Sequence, residues 1–254
     1  MKEESLTLSV DTSTEQRSVV VLRGPRLLSQ CVSGLREGGS ASLLTDIERA
    51  LASASVTLKD VELFAAAVGP GSFTGLRSGL ATLKGLAVVL AKPVVGVPTL
   101  HAIAYGARPG KRILALIPAG RGEVFAQLLG VDEAGNVVEH EAPAHLQPAR
   151  LIEKMAGLGG GVKWIGSGAF KFSELIRQGA EDAGIEFVEA ADGSADAAEG
   201  VWLLTHAEEA LARSVAMLAL SEEGVAAESS AENLSAIYVR PSDAELKGQW
   251  HAQS

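Results

Sequence analysis

The run GPGSFTG, Gly69 to Gly75, links an apolar strand to an apolar helix and is the first place where this chain could meet a charged ligand. A strand passing through glycines into a helix presents unpaired N–H groups and the positive end of the helix dipole, a natural setting for an anion. Two known phosphate loops can be tested against it. A Walker loop needs four residues between its glycines and a Lys-Ser/Thr pair after the second, and neither is present. The dinucleotide fingerprint G-x-G-x-x-G finds Gly69 and Gly71, but Thr74 stands at its third position and glycine arrives one residue late at Gly75. Gly71 and Ser72 remain as candidate anion contacts, against the simpler reading that Pro70 and Gly71 only make a tight turn. Asp11, Thr12 and Ser13, at the end of the first strand, could position a magnesium-bound phosphate, although Asp-Thr-Ser turns also close hairpins routinely. These five residues form the expected phosphate or nucleotide site, read as vestigial.

Other chemistry is poorly provided for. Of His101, His140, His145, His206 and His251, no two share the i, i+4 spacing of a zinc helix, and there is no Cys-x-x-Cys, so no metal site is expected. Ser72 does not lie in a G-x-S-x-G elbow. Glu123, beside Arg121 and Gly122, reads as the solvated start of a hairpin. Cys31 stands alone and has no disulfide partner.

The elements that must hold these residues alternate between strand and helix. LTLSV and RSVVVL flank the polar turn DTSTEQ as a hairpin, and LLSQCVSG reads as a third strand. From Ser40 the period changes. Leu43, Leu44, Ile47 and Leu51 fall at helical spacing over Ser40 to Ala54, with Ser40 or Ser42 as N-cap. VELFAAAVG is a fully apolar strand, followed by a helix from Thr74 to about Leu90, then by the strand of KPVVGVP and a short helix capped by Thr99. After ARPGKR the pattern restarts: Leu6 to Leu22 and Ile113 to Leu129 are both strand, turn, strand, of equal length and without a gap. This duplication predicts two mixed α/β lobes. The boundaries expected are 1–107 plus about 205–226 for the first lobe, 108–204 for the second and 227–254 for an extended tail. Helices near Pro148 to Met155, Phe170 to Gln178 and Thr205 to Gly224, with strands VKWIG and IEFVEA, complete the reading.

Composition narrows the partners. The 254 residues are 47% hydrophobic and carry a net charge of −9, with RPGKR as the one compact basic stretch. A chain that grips nucleic acid alone needs clustered Lys and Arg, so any nucleic acid would have to be held by another protein. The apolar run Gly85 to Pro98 is broken at Lys92 and Pro93, short of the roughly 20 residues of a bilayer span. No signal peptide is recognised, and a cytoplasmic location is expected. The Thr74 to Leu90 helix has a leucine stripe, Leu76, Leu80, Leu83 and Leu90, and a small-residue stripe, Gly75, Gly79 and Thr82, which would admit another helix closely. With Leu44, Ile47 and Leu51 of the preceding helix, these residues are the expected partner interface.

SVDTSTEQRSVVVL, AVGPGSFTGLRSGLATLKGLA, PVVGVPTLHAIA, RGEVFA and YVRPSDAEL, in this order, resemble the TsaB (YeaZ) family of bacterial tRNA threonylcarbamoyladenosine biosynthesis proteins. The resemblance is dense in the first lobe and sparse in the second. It implies the actin-like ATPase superfamily (ASKHA) fold, with two ribonuclease-H-like lobes, and a non-catalytic scaffold role. The subunit would bind the TsaD-type threonylcarbamoyltransferase, together with a TsaE-type ATPase, in modifying adenosine 37 of tRNAs that read ANN codons. ATP and metal are then expected on the partner subunits and tRNA only through the complex, with a homodimer as a further form. The catalytic relative has a metal-binding histidine pair in the segment corresponding to GVPTLHAIA, where Thr99 and Ala102 or Ile103 stand near those places in this chain and His101 is alone. Two departures stand out: Pro118, Ala119, Gly120, Arg121 replaces an Asp-Ala-Arg run, and REGGSAS lacks a histidine before the first helix. The alternative is a stand-alone kinase of the superfamily or a metallopeptidase. The first would require a second acidic turn where Pro118 stands, the second metal ligands.

Overall fold

The computed structural model describes residues 4–34, 41–190, 196–206, 210–221 and 231–239. It opens with β1 (Leu6–Asp11), β2 (Gln16–Arg23) and β3 (Arg26–Gly34), followed by α1 (Ala41–Ser53), β4 (Leu63–Ala67), α2 (Phe73–Leu90), β5 (Val94–Val97) and α3 (Thr99–Gly106). The second part runs β6 (Gly110–Gly120), β7 (Glu123–Val131), β8 (Val137–Glu139), β9 (Ala144–Leu146), α4 (Pro148–Leu158), β10 (Val162–Ile165), α5 (Ser167–Lys171), α6 (Ser173–Asp182), β11 (Glu186–Ala190), β12 (Val201–Thr205) and α7 (Leu211–Leu220).

Two sheets carry the duplication. The first has the order β3-β2-β1-β4-β5, antiparallel through the hairpins and parallel from β1 onward. The second repeats it as β8-β7-β6-β10-β12, adding β11 at the far edge and β9 beside β7. Strand alternation explains the layers, because successive side chains point to opposite faces. From β2, Val19 and Val21 enter an outer core with Leu43, Ile47, Leu80 and Leu83 of α1 and α2. Val20 and Leu22 enter a middle core, where α3 and α7 lie between the sheets against Ile113, Ala115 and Ile117. A third core holds Trp164 and Trp202 under α4 and α6.

Several expectations are corrected. The helix read from Thr205 to Gly224 is α7 within its described part, and Thr205 ends the buried strand β12 instead. The helix of Phe170 to Gln178 is two, broken at Phe172, whose ψ of 20° ends α5. Thr99 does not cap α3: it is the first helical residue, and its hydroxyl accepts the Gly69 N–H while its own N–H donates to the Gly69 carbonyl. Ser40, the REGG segment and residues 240–254 lie outside the described residues. Where the lobes join, fully buried Lys163 of β10 donates to the carbonyls of Ala107 and Pro109, each at 2.8 Å.

Candidate functional site

Asp11, Thr12 and Ser13 are brought against Gly71 and Ser72, but face to face, with no space left between them. The Ser72 N–H donates to the Ser13 carbonyl at 2.7 Å, and Ser72 caps α2 by accepting the Gly75 N–H. Two of the donors at the start of α2, the Ser72 and Gly75 N–H groups, are therefore taken by the protein itself. A Cβ added at Gly71 would overlap the Ser13 carbonyl, one at Gly75 the Thr12 carbonyl, and one at Gly79 the Thr12 hydroxyl. The glycines exist because the hairpin turn and α2 approach within backbone distance. The small-residue stripe thus serves a turn of the same lobe, not a second helix.

The Asp11 carboxylate is fully buried. It accepts from the Ser13 N–H at 2.8 Å and the Ser13 hydroxyl at 2.5 Å, with the Thr14 hydroxyl at 3.2 Å. Burial holds its pKa above the ordinary carboxylate value, although these hydrogen bonds pull the other way. Pro118, which corresponds to Asp11 in the duplicated hairpin, contributes no acid. A cavity of about 370 Å³ opens between the halves, lined by Thr14, Gln16, Ile103, Phe170, His206 and Leu211, and none of the five phosphate candidates reaches it. Phe170 and His206 stack there at 4.2 Å.

Two further histidines pair with glutamates away from this cavity. His101 meets Glu139 at 3.0 Å and His145 meets Glu123 at 2.9 Å. Burial lowers the His101 pKa, with Glu139 opposing. Among the described residues no three His, Cys, Asp or Glu side chains gather as a ligand set.

Most residues expected at a partner interface belong to the chain's own core. Ile47, Leu51, Leu76, Gly79, Leu80 and Leu83 are buried, Gly75 and Thr82 are half-buried, and of the nine only Leu44 is exposed, at 49%. Spacing identified the apolar stripe correctly but not the direction it faces. The outward face of α2 is a different line: Phe73, Arg77, Ala81, Gly85, Val88 and Val89, with Val88 and Val89 at 67% and 82% exposure. These apolar residues off the leucine stripe were the available signal. Although α2 is long and apolar enough to cross a membrane, it carries Arg77 and Lys84 and packs one side on its own sheet.

Sequence spacing also gave no sign of the lock that holds α1. Arg17 of β2 donates through Nε to Asp46 at 2.8 Å, and Ser33 donates to the same carboxylate at 2.8 Å. Burial raises the Asp46 pKa, but the hydrogen bonds from Ser33 and Arg17 and the Arg17 charge outweigh it and leave the carboxyl below its ordinary value. The Cys31 thiol beside it is pushed up by burial and by Asp46.

Two sheets of the same plan, each led by a hairpin and sharing a helical layer, define a protein of the actin-like ATPase superfamily. Residues 39–245 match the family model described as "TsaD: tRNA N6-adenosine threonylcarbamoyltransferase". The chain is 32% identical to the Escherichia coli tRNA threonylcarbamoyladenosine biosynthesis protein TsaB over 67% of its own length and 75% of that protein's. It is 30% identical to a tRNA N6-adenosine threonylcarbamoyltransferase of Jannaschia sp., over 61% of this chain and about half (49%) of that one. YeaZ from Pseudomonas aeruginosa superposes with a TM-score of 0.66 at 27% identity, covering 92% of this chain and 99% of that one. The chain belongs to the TsaB (YeaZ) family.

Proposed function

We propose that this protein is a non-catalytic subunit in threonylcarbamoyladenosine formation at adenosine 37 of tRNAs reading ANN codons. It docks a TsaD-type catalytic subunit through the outward faces of α1 and α2, with a TsaE-type ATPase as a further component. The observation that carries the reading is the pairing of an exposed apolar line on α2 with a phosphate-site region in which the Asp11–Ser13 turn packs directly on Gly71 and Gly75. A net charge of −9 agrees with tRNA being held by the partners.

The test is reconstitution. The full chain and the TsaD-type subunit of the same genome should form a complex in analytical ultracentrifugation, and Val88→Asp or Val89→Asp should abolish it without changing the melting midpoint. Complex formation unaffected by either change would remove the Val88–Val89 end of α2 from the interface. The pure chain should show no threonylcarbamoyl transfer; turnover lost in Asp11→Ala would overturn the non-catalytic role. Submicromolar binding of tRNA by the isolated chain at physiological salt would contradict the assignment of tRNA to the partners.

A further inference from the structure

Residues 231–239 return to the first lobe and end on α2, where Tyr238 meets Arg77 across 161 positions of sequence. Two attachments fix the path. The Ile237 N–H donates to the Val68 carbonyl at 2.7 Å, just beyond β4. Leu234, buried at 4% exposure, fills a slot beside Gly96, where a Cβ would stand 3.0 Å from its Cδ1. The segment then places the Tyr238 ring 5.7 Å from that of Phe73, tilted by 44°. Arg77 lies over the Phe73 ring at 3.7 Å and donates to the Tyr238 hydroxyl at 3.4 Å.

None of these three residues belongs to a core, and Phe73 and Tyr238 are 41% and 49% exposed. Two aromatic rings and a guanidinium at the end of an apolar helix face have the composition of an interface anchor. Stacking already orders the Arg77 side chain, so little conformational freedom remains to be lost when a partner arrives. Arg77 forms no ion pair among the described residues. The charged residues of α2 are Arg77 and Lys84, both basic, in a chain of net charge −9, so the complementary surface carries carboxylate.

We infer that residues 234–238 are a third element of the docking face: they deliver Tyr238 to Phe73 and Arg77 as one anchor, which enters an apolar pocket with an acidic rim on the TsaD-type subunit. This rests on the reading that the outward face of α2 docks that subunit. The experiment measures the dissociation constant of the full chain and the TsaD-type subunit by calorimetry at two salt concentrations. Val88→Asp, about 22 Å along the helix from Phe73, serves as an independent probe of α2. Tyr238→Ala should weaken binding about tenfold or more. Phe73→Ala should do the same, and the double variant should lose no more than the worse single one, because the rings act as a unit. Arg77→Gln should weaken binding and flatten its salt dependence. It leaves the Ile237 and Leu234 attachments intact, so it stands in for Tyr238→Ala if that variant melts early.

Tyr238→Ala and Arg77→Gln within twofold of the parent, with Val88→Asp abolishing binding, would overturn the inference and leave α2 docking in place. No effect from any of the variants, or no complex with the parent, would overturn both. Loss with Tyr238→Ala but not with Val88→Asp would support the anchor and confine the contact to the Phe73 end of α2.

Discussion

At the first hairpin the turn after β1 is pressed against α2, with Thr12 and Ser13 buried and the Asp11 carboxylate closed over by Ser13 and Thr14. At the second, Gly120, Arg121 and Gly122 stand exposed, and a side chain at either glycine would meet only open space. Aligned through the duplication, Arg17 of the first hairpin corresponds to Val124 of the second, so a buried ion pair to α1 in one half becomes an apolar contact in the other. Both halves keep the strand plan, while the polar groups at the turns have diverged. A cradle made of two turns needs unengaged donors on each. The first turn directs the Ser13 N–H and the Ser13 and Thr14 hydroxyls onto its own Asp11, and the second presents Pro118 where the first has Asp11.

The comparison can be broken most forcefully at the Arg17 lock. Asp46→Asn leaves a buried guanidinium without its counter-charge and should cost about 3–5 kcal/mol in urea unfolding. Because the Asp46 pKa is depressed on folding, the parent's stability from this group is present above about pH 3.9 and is lost as pH falls through the lower folded value. That acid-side loss should shrink in the variant. An equally stable Asp46→Asn would mean that the lock contributes nothing.

Gly79→Leu should come next. It drives a side chain into Thr12 and should cost about 2–3 kcal/mol by overpacking. A variant with parental stability would show that the turn and α2 separate readily. At the second turn, Gly122→Ala has room but a φ of +79°, and should cost only about 1 kcal/mol from backbone strain. A cost matching that of Gly79→Leu would erase the contrast between the turns.

The smallest effect is expected at Asp11. Its folded pKa is raised, so its contribution to stability is full below the unfolded value near 3.9 and is lost as pH rises through the folded one. Asp11→Asn should therefore gain on the parent as pH rises from about 4, then hold a constant difference. A difference independent of pH would mean that the carboxylate is not desolvated.

Local signals carried much of the fold. The hairpin of Leu6 to Leu22, the apolar strand ending at Gly69 and the helix ending near Leu90 each follow from residues close together in sequence. What escaped the sequence depends on partners far along the chain. VWLLT is a five-residue apolar run, and periodicity cannot tell a buried strand of that length from helix. Arg17 and Asp46 are 29 residues apart, and Tyr238 meets Arg77 across 161. The glycines of α2 were legible as a place of close approach. Their neighbour was not, because a β-turn and a helix make the same demand on a Cβ. On α2, Phe73, Val88 and Val89 were visible as apolar residues, but only the third dimension shows which helix side the sheet has already taken and which is left exposed.

Lys163 has a consequence for motion between the two halves. A connector that bends must let its peptide groups exchange partners, yet the carbonyls on either side of Arg108 are both held by one buried ammonium. To flex there, the chain would have to strip two charge-assisted hydrogen bonds from a fully buried ammonium. At this point the buried ammonium ties strand β10 to the chain just before β6, so bending there carries an electrostatic cost as well as a packing one.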